Sequence, residues 1–360
     1  MKNTNLNNLA QGPPAQLAAE LERALPQLLP SLKILETKRD QRVRELPVDL
    51  TVDVVTPHRR KRRLLVDVNR TAVPSRIRET ARRFKEALRS PLDGYPVLAS
   101  NFLSPRTREI CREEGTGYLD LAGNCFLQFE DLYLERVVDK NPSPSRGRPP
   151  SLFAPVSSRI LRVMLEAPER AWLVSELAAV ARVSLGQASN VTRRLLDEEY
   201  AVKTARRLRL QQPGRLLEAW RDAETFARTA AHAYYSFETD PERRLARVAE
   251  LAAQRRWRYA VTSFAAAERL APFVHGIETV QWYVEDAVLP AWIEALGLRP
   301  VEAGPNAVLL VPYDAGVFDC AQALNGLTLV GTVQLYLDLY GHPERGREQA
   351  EFLRQQKLKF

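Results

Sequence analysis

Cysteine is scarce in this chain. Three residues of 360, Cys111, Cys125 and Cys320, lie far apart, with no CxxC pair and no His-x-x-x-His nearby. That spacing excludes a disulfide framework and a zinc finger and fits a reducing compartment. Long apolar runs are missing too. Nothing approaches the ~20 residues a membrane-crossing helix needs, and the polar start Met1-Lys2-Asn3-Thr4-Asn5 is unlike a secretory signal. A cytoplasmic protein with no membrane partner is expected. The C-terminal part contains neither GxGxxG nor a P-loop, so a nucleotide cradle has no local support. No cofactor, metal or catalytic residue is expected.

What is in excess is positive charge. Lysine and arginine total 52 against 44 aspartate and glutamate, a formal net charge of +8. Such a field favours polyanions and speeds encounter with them. Hydrophobic residues make up 45% of the chain, enough for real cores, and the length suggests two or three domains.

Residues 157–212 carry the most informative pattern. Ser157-Ser158-Arg159-Ile160-Leu161-Arg162-Val163-Met164-Leu165 has apolar residues at helical spacing behind a serine pair able to cap it, and Ala167-Pro168 stops the helix. Trp172-Leu173-Val174 fits a short strand, and Ser175–Ala181 a second compact helix. Val183-Ser184 makes the turn. A third helix opens with Ser184 and, three residues on, Gln187, a capping-box arrangement, and runs to about Glu198. Leu185, Ala188, Val191, Leu195 and Leu196 form its packing stripe, which leaves Gln187, Ser189, Asn190, Arg193 and Arg194 facing away. Tyr200–Thr204 and Leu208–Gln211 then form a hairpin with the basic tip Ala205-Arg206-Arg207.

Three helices followed by a basic hairpin read as a winged helix-turn-helix, a fold that places one helix in the DNA major groove. Arg and Gln can pair with guanine and adenine edges, and Ser and Asn can reach one base or one phosphate. The expected double-stranded DNA contacts are Ser184, Gln187, Ser189, Asn190, Arg193 and Arg194 on the helix, with Lys203, Arg206, Arg207 and Arg209 on the wing. Asp197, Glu198 and Glu199 gather at the far end of the helix, away from those cations. A protein-docking module with a solvated arginine face remains the alternative. One helix reads few base pairs, so a homodimer or repeated half-sites is expected.

Residues 141–150, rich in proline and small polar residues, form a linker. Within it Arg146-Gly147-Arg148-Pro149 matches the AT-hook core, so Arg146 and Arg148 are candidate minor-groove contacts, with plain phosphate attraction as the alternative. Before the linker, residues 15–40 read as helix interrupted by Pro26 and Pro30, and Pro47–Val55 and Leu64–Val68 as strands joined by the charged run His58–Arg63. Residues 75–89 read as a basic amphipathic helix, Tyr95–Ser100 as a strand, Ser104–Glu113 as a serine-capped helix, and Gly117–Val138 as two further strands. This order is reminiscent of the PD-(D/E)XK nuclease fold. Such nucleases hold a divalent metal between carboxylates beside an orienting lysine. Here the nearest counterparts are Asp53 and Asp67-Val68-Asn69, with Asn69 in the lysine's place, and Asp120 is followed by no lysine. An inactive nucleic-acid-binding or scaffolding domain is the expectation, and a metal-dependent nuclease the alternative.

Past the wing, Pro213–Trp220 begins a helical connection expected to continue through Phe226 and Tyr234. From about residue 240 helices alternate with strands: Tyr259–Thr262, the helix Ser263–Leu270, Val280–Val284, Asn306–Val311, and helices at Thr332–Leu339 and Arg345–Gln356. Glu285-Asp286 reads as a solvated turn, because adjacent residues of a strand face opposite ways.

Several of these segments resemble one family. Gly115–Asn124, the Pro213–Trp220 end of the winged helix, Tyr259–Ala266, and Val333-Gln334-Leu335-Tyr336-Leu337-Asp338-Leu339 with Arg345-Gly346 are similar to AbiEi-family antitoxins of type IV toxin–antitoxin systems, over roughly residues 95–355. The resemblance implies a winged helix that binds operator DNA and represses its operon, and a C-terminal domain that opposes a cognate nucleotidyltransferase-like toxin. The nuclease-like N-terminal domain departs from a minimal antitoxin and suggests a stand-alone regulator of a mobile element or plasmid. The expected fold class is therefore α+β multidomain: a degenerate PD-(D/E)XK-like α/β domain (residues 1–140), a basic proline-rich linker (141–151), a winged helix-turn-helix (152–222) and a C-terminal α/β domain (223–360).

Overall fold

The structure, a computed structural model, describes residues 14–70, 72–88, 94–129, 131–138, 152–223, 229–276, 278–343 and 345–360. It is a mixed α+β architecture in two compact units, one within Met1–Pro149 and one within Pro150–Phe360. The AT-hook-like Arg146 and Arg148 lie outside the described residues.

The first unit runs α1 (Pro14–Leu28), β1 (Lys33–Val43), β2 (Leu46–Val55), β3 (Lys61–Val68), α2 (Pro74–Ala87), β4 (Tyr95–Ser100), α3 (Pro105–Glu113), β5 (Gly117–Asp120), β6 (Cys125–Phe129) and β7 (Leu132–Arg136). Its seven strands stand side by side in chain order. β1, β2 and β3 are antiparallel, β3, β4 and β5 are parallel, and β6 and β7 return antiparallel. The parallel steps need crossovers, which α2 and α3 supply. Leu50, Val52 and Val54 of β2 alternate onto the face that packs with Leu21 and Leu25 of α1. Leu65 of β3 and Leu98 of β4 pack with Ile77 and Phe84 of α2 and Ile110 of α3.

Two readings of this region need correcting. Residues 15–40 are not one interrupted helix: α1 ends at Leu28 and Lys33–Val43 is an edge strand. Most β1 side chains are exposed, so no buried alternation marked the strand in the sequence. Gly117–Val138 holds three strands, not two.

The second unit runs α4 (Pro155–Glu166), α5 (Val174–Val180), α6 (Leu185–Asp197), β8 (Ala201–Thr204), β9 (Arg207–Leu210), α7 (Pro213–Arg221), β10 (Ala230–Tyr235), α8 (Pro241–Arg255), β11 (Tyr259–Thr262), α9 (Ser263–Leu270), β12 (Val280–Val284), α10 (Leu289–Leu296), β13 (Arg299–Pro300), β14 (Ala307–Val311), β15 (Gln322–Leu324), β16 (Leu327–Leu329), α11 (Thr332–Tyr340) and α12 (Gly346–Leu353). β8 and β9 form a separate hairpin, and the rest make a mixed seven-stranded sheet in the order β13-β10-β14-β12-β11-β16-β15. One buried apolar cluster runs from Leu152 to Leu353, joining the first three helices to the helices packed on that sheet. The helical connection expected through Tyr234 stops at Arg221. Tyr234 lies on β10, and Phe226 falls outside the described residues. The segment Ala230-Ala231-His232-Ala233 has little intrinsic strand preference. Its pairing with β14 from Val308 to Val311 makes it a strand.

Candidate nucleic-acid interface

α4 begins with Pro155 at its first turn, where the absent N–H costs nothing. The serine cap expected there is not formed. The N-cap is Ala154, and Ser158 Oγ instead donates to the Pro155 carbonyl. Ile160, Leu161, Met164 and Leu165 are buried against the next two helices and the sheet helices. α5 is held at its start by Glu176, whose carboxylate accepts from Leu173 N at 3.1 Å. The turn after α5 places Arg182 at φ 51°, a left-handed conformation that lets Val183 N reach back to the Ala178 carbonyl.

α6 has the expected reciprocal cap. Ser184 Oγ accepts from Gln187 N, and Gln187 Oε1 accepts from Ser184 N, each at 3.2 Å. Ala188, Val191, Thr192 and Leu195 are its buried face. Gly186, Asn190 and Arg193 stand in solvent, while Ser189, Arg194 and Leu196 are half-buried. Leu185 departs from the expected packing stripe: it is 60% exposed. Position explains this, because the first residue of α6 precedes the turn on which the buried stripe begins.

The hairpin β8–β9 pairs Ala201 with Leu210 and Thr204 with Arg207, so Ala205 and Arg206 form its tip. Trp172 adds a third rung. It exchanges two 2.8 Å backbone hydrogen bonds with Leu208, which fastens the hairpin beside α5. Trp172 therefore forms an isolated bridge and not the short strand expected. Arg170 stacks over its ring, 3.7 Å from the centroid.

The basic residues divide into two groups. Arg207 Nη1 donates to the Ala171 carbonyl at 3.0 Å and lies 3.4 Å from Glu176, and Arg209 pairs with Glu169 at 3.1 Å. These two brace the hairpin. Among the described residues, Asn190, Arg193, Lys203 and Arg206 make no side-chain hydrogen bond or ion pair. Ser184 and Gln187 are committed to the cap. A bidentate contact from Gln187 to adenine would have to release Oε1 from Ser184.

In the first unit Asp53 does not face Asp67. It lies opposite Arg63, which donates to both its oxygens at 2.7 and 2.9 Å and holds its carboxyl below the usual range. The carboxylate beside Asp67 is Asp49, which accepts from Val68 N at 2.6 Å. Burial, then Asp49, pushes the Asp67 carboxyl up, while Arg83 and Asn69 donate to it. Asp120 is buried and ties its loop by accepting from Leu103 N and from Asn124 N and Nδ2. Among the described residues no three His, Cys, Asp or Glu side chains are grouped to hold a metal ion.

A buried polar chain links α4 to α11. Arg162 donates through Nε and Nη2 to Gln334 Oε1 at 3.0 and 2.7 Å, donates to Ser158 Oγ, and stacks over Trp220. Gln334 Nε2 donates to Asp338 at 2.7 Å, and Asp338 also accepts from Thr262 Oγ and the Tyr283 hydroxyl. In the sequence Gln334 and Asp338 stand out only within the family-like segment Val333–Leu339. Their shared role depends on residues 162, 262 and 283 converging, which no local pattern announces.

Residues 209–359 match the family described as "Transcriptional regulator, AbiEi antitoxin, Type IV TA system". The AbiEi resemblance therefore holds over that part of the chain, which carries the Pro213–Trp220, Tyr259–Ala266 and Val333–Leu339 segments. None of the curated proteins compared matches. A repair endonuclease from Pyrococcus abyssi, known from its crystal structure, aligns over 31% of this chain and 47% of its own, with 15% identity and a TM-score of 0.25. This chain thus spans about half the length of that protein. No helix among the described residues is long and apolar enough to cross a membrane.

Proposed function

We propose that residues 152–222 are a winged helix-turn-helix and that the protein binds double-stranded DNA in a sequence-specific way as a transcriptional regulator, a repressor of its own operon or of a mobile element. The observation that carries this reading is α6: its start is capped, one face is packed, and Asn190 and Arg193 stand unpaired on the other. Lys203 and the Arg206 tip add cations suited to phosphate. The regulator family matched by residues 209–359 supports the same reading. The protein acts by binding and not by catalysis, and a homodimer on two half-sites gives the selectivity that one helix lacks. Selection of duplexes from a random library by the purified protein, repeated with Asn190→Ala and Arg193→Ala, tests it. A recurrent motif that is lost or relaxed in the variants supports the reading, and unselective binding sinks it.

The antitoxin description of the matched family favours a second reading, in which residues 223–360 bind and neutralise a cognate nucleotidyltransferase-like toxin. Co-purification with the product of the adjacent gene, and loss of that product's toxicity, test it.

A further inference from the structure

We propose that Leu185 forms an apolar subsite on α6 that reads the 5-methyl group of a thymine, and that Gly186 leaves the room for that approach. The proposal rests on the reading of α6 as the helix that enters the major groove. Leu185 is the first residue of α6 and is 60% exposed, while every other aliphatic side chain on the helix is buried or half-buried. A lone exposed leucine is common on protein surfaces. Here it sits on the turn that, in this docking geometry, touches base edges. The thymine methyl is the apolar group that a base pair displays in the major groove, and apolar side chains are its natural partners.

Gly186 supplies the independent observation. Glycine inside a helix is disfavoured relative to alanine, so it calls for a reason in packing or conformation. Among the described residues neither exists: a Cβ built at Gly186 meets nothing within 4 Å, and its φ is not left-handed. A surface without side chain beside an exposed leucine, next to Ser189 and Asn190, is what close approach to a base edge requires.

The test begins with the motif selected by the full-length protein. Each thymine in it is replaced singly by deoxyuridine, which removes only the methyl group. For one thymine, binding by the unchanged protein should weaken about fourfold, the worth of one buried methyl. Leu185→Ala should lose a similar factor on the thymine duplex and be indifferent to that uracil. Gly186→Ala should keep or raise its thermal midpoint and lose affinity for the motif. A motif in which no thymine shows this dependence on Leu185, or full affinity in Gly186→Ala, overturns the subsite while leaving α6 as the reading helix. A library that returns no motif overturns the reading of α6 and the subsite together.

Discussion

Replacing Gln334 by leucine should destabilise the second unit by about 2–4 kcal/mol, the cost of leaving the charged groups on either side of it short of a hydrogen-bond partner. Gln334 is buried and neutral, and it stands between the buried Arg162 guanidinium and the half-buried Asp338 carboxylate. Its carbonyl end takes two N–H groups of Arg162, and its amide end donates to Asp338 at 2.7 Å. The signs of the two charges fix which way the amide points. Leucine fills nearly the same volume and satisfies neither end. Arg162 would keep Ser158 Oγ at 2.9 Å, and Asp338 would keep Thr262 and Tyr283. Urea unfolding followed by tryptophan fluorescence isolates the effect, because all five tryptophans, Trp172, Trp220, Trp257, Trp282 and Trp292, lie in the second unit and Trp220 is stacked under Arg162. The double change Arg162→Met with Gln334→Leu removes the stranded cation and should regain at least half of the loss. A loss below about 1 kcal/mol, the scale of an ordinary exposed hydrogen bond, or a double variant as unstable as the sum of the two single ones, would refute the reasoning.

Asp338 and Glu166 are each pushed up to about 6, chiefly by burial, against the hydrogen bonds that hold their ionised forms. The folded state therefore keeps these protons longer than the unfolded chain, so the contribution of these two groups to stability is fully present at low pH and is lost as pH rises from about 4 to about 6. The same fluorescence transition should move to lower urea between pH 4.5 and 6.5, by on the order of 1–3 kcal/mol, and Asp338→Asn should flatten the fall. Ser184→Ala removes the α6 cap and should cost about 1 kcal/mol in the same assay. Gly346→Ala should cost about 2–3 kcal/mol or more, since the added Cβ would lie 2.2 Å from the Leu339 carbonyl oxygen and the backbone must yield. Incubation of duplex DNA with Mg²⁺ or Mn²⁺ should give no cleavage; cutting abolished by Asp67→Ala would assign the first unit a nuclease role.

Local signals were sufficient wherever the physics is local. The capped start of α6, the Ser104–Pro105 start of α3, the alternation Val48–Val54 in β2 and the basic hairpin turn are set by residues within six positions of one another, and the structure has them where the sequence places them, save that Arg207, read as part of the tip, is the first residue of β9. Ser157-Ser158 misled because Pro155 opens the helix one turn earlier. β1 and β10 were missed because their side chains carry no burial period. An edge position in one case, and pairing with a strand some 77 residues away in the other, decide their conformation.

The sequence alone determined the class of chain: basic, poor in cysteine, α+β, with an AbiEi-like C-terminal part and a helix patterned with one packed and one polar face. Tertiary structure decided which of those polar residues are available. Arg207 and Arg209 looked equivalent to Lys203 and Arg206 in the sequence, yet folding brings Glu176 and Glu169 against them. It also separated Asp53 from Asp67, set Asp49 in its place, and joined Arg162 to Asp338 through Gln334. The reason is common to these: a side chain's charge and hydrogen-bonding groups are spent on whichever partner the chain brings within about 3 Å, and partners 10 to 172 residues away leave no mark on the sequence around it.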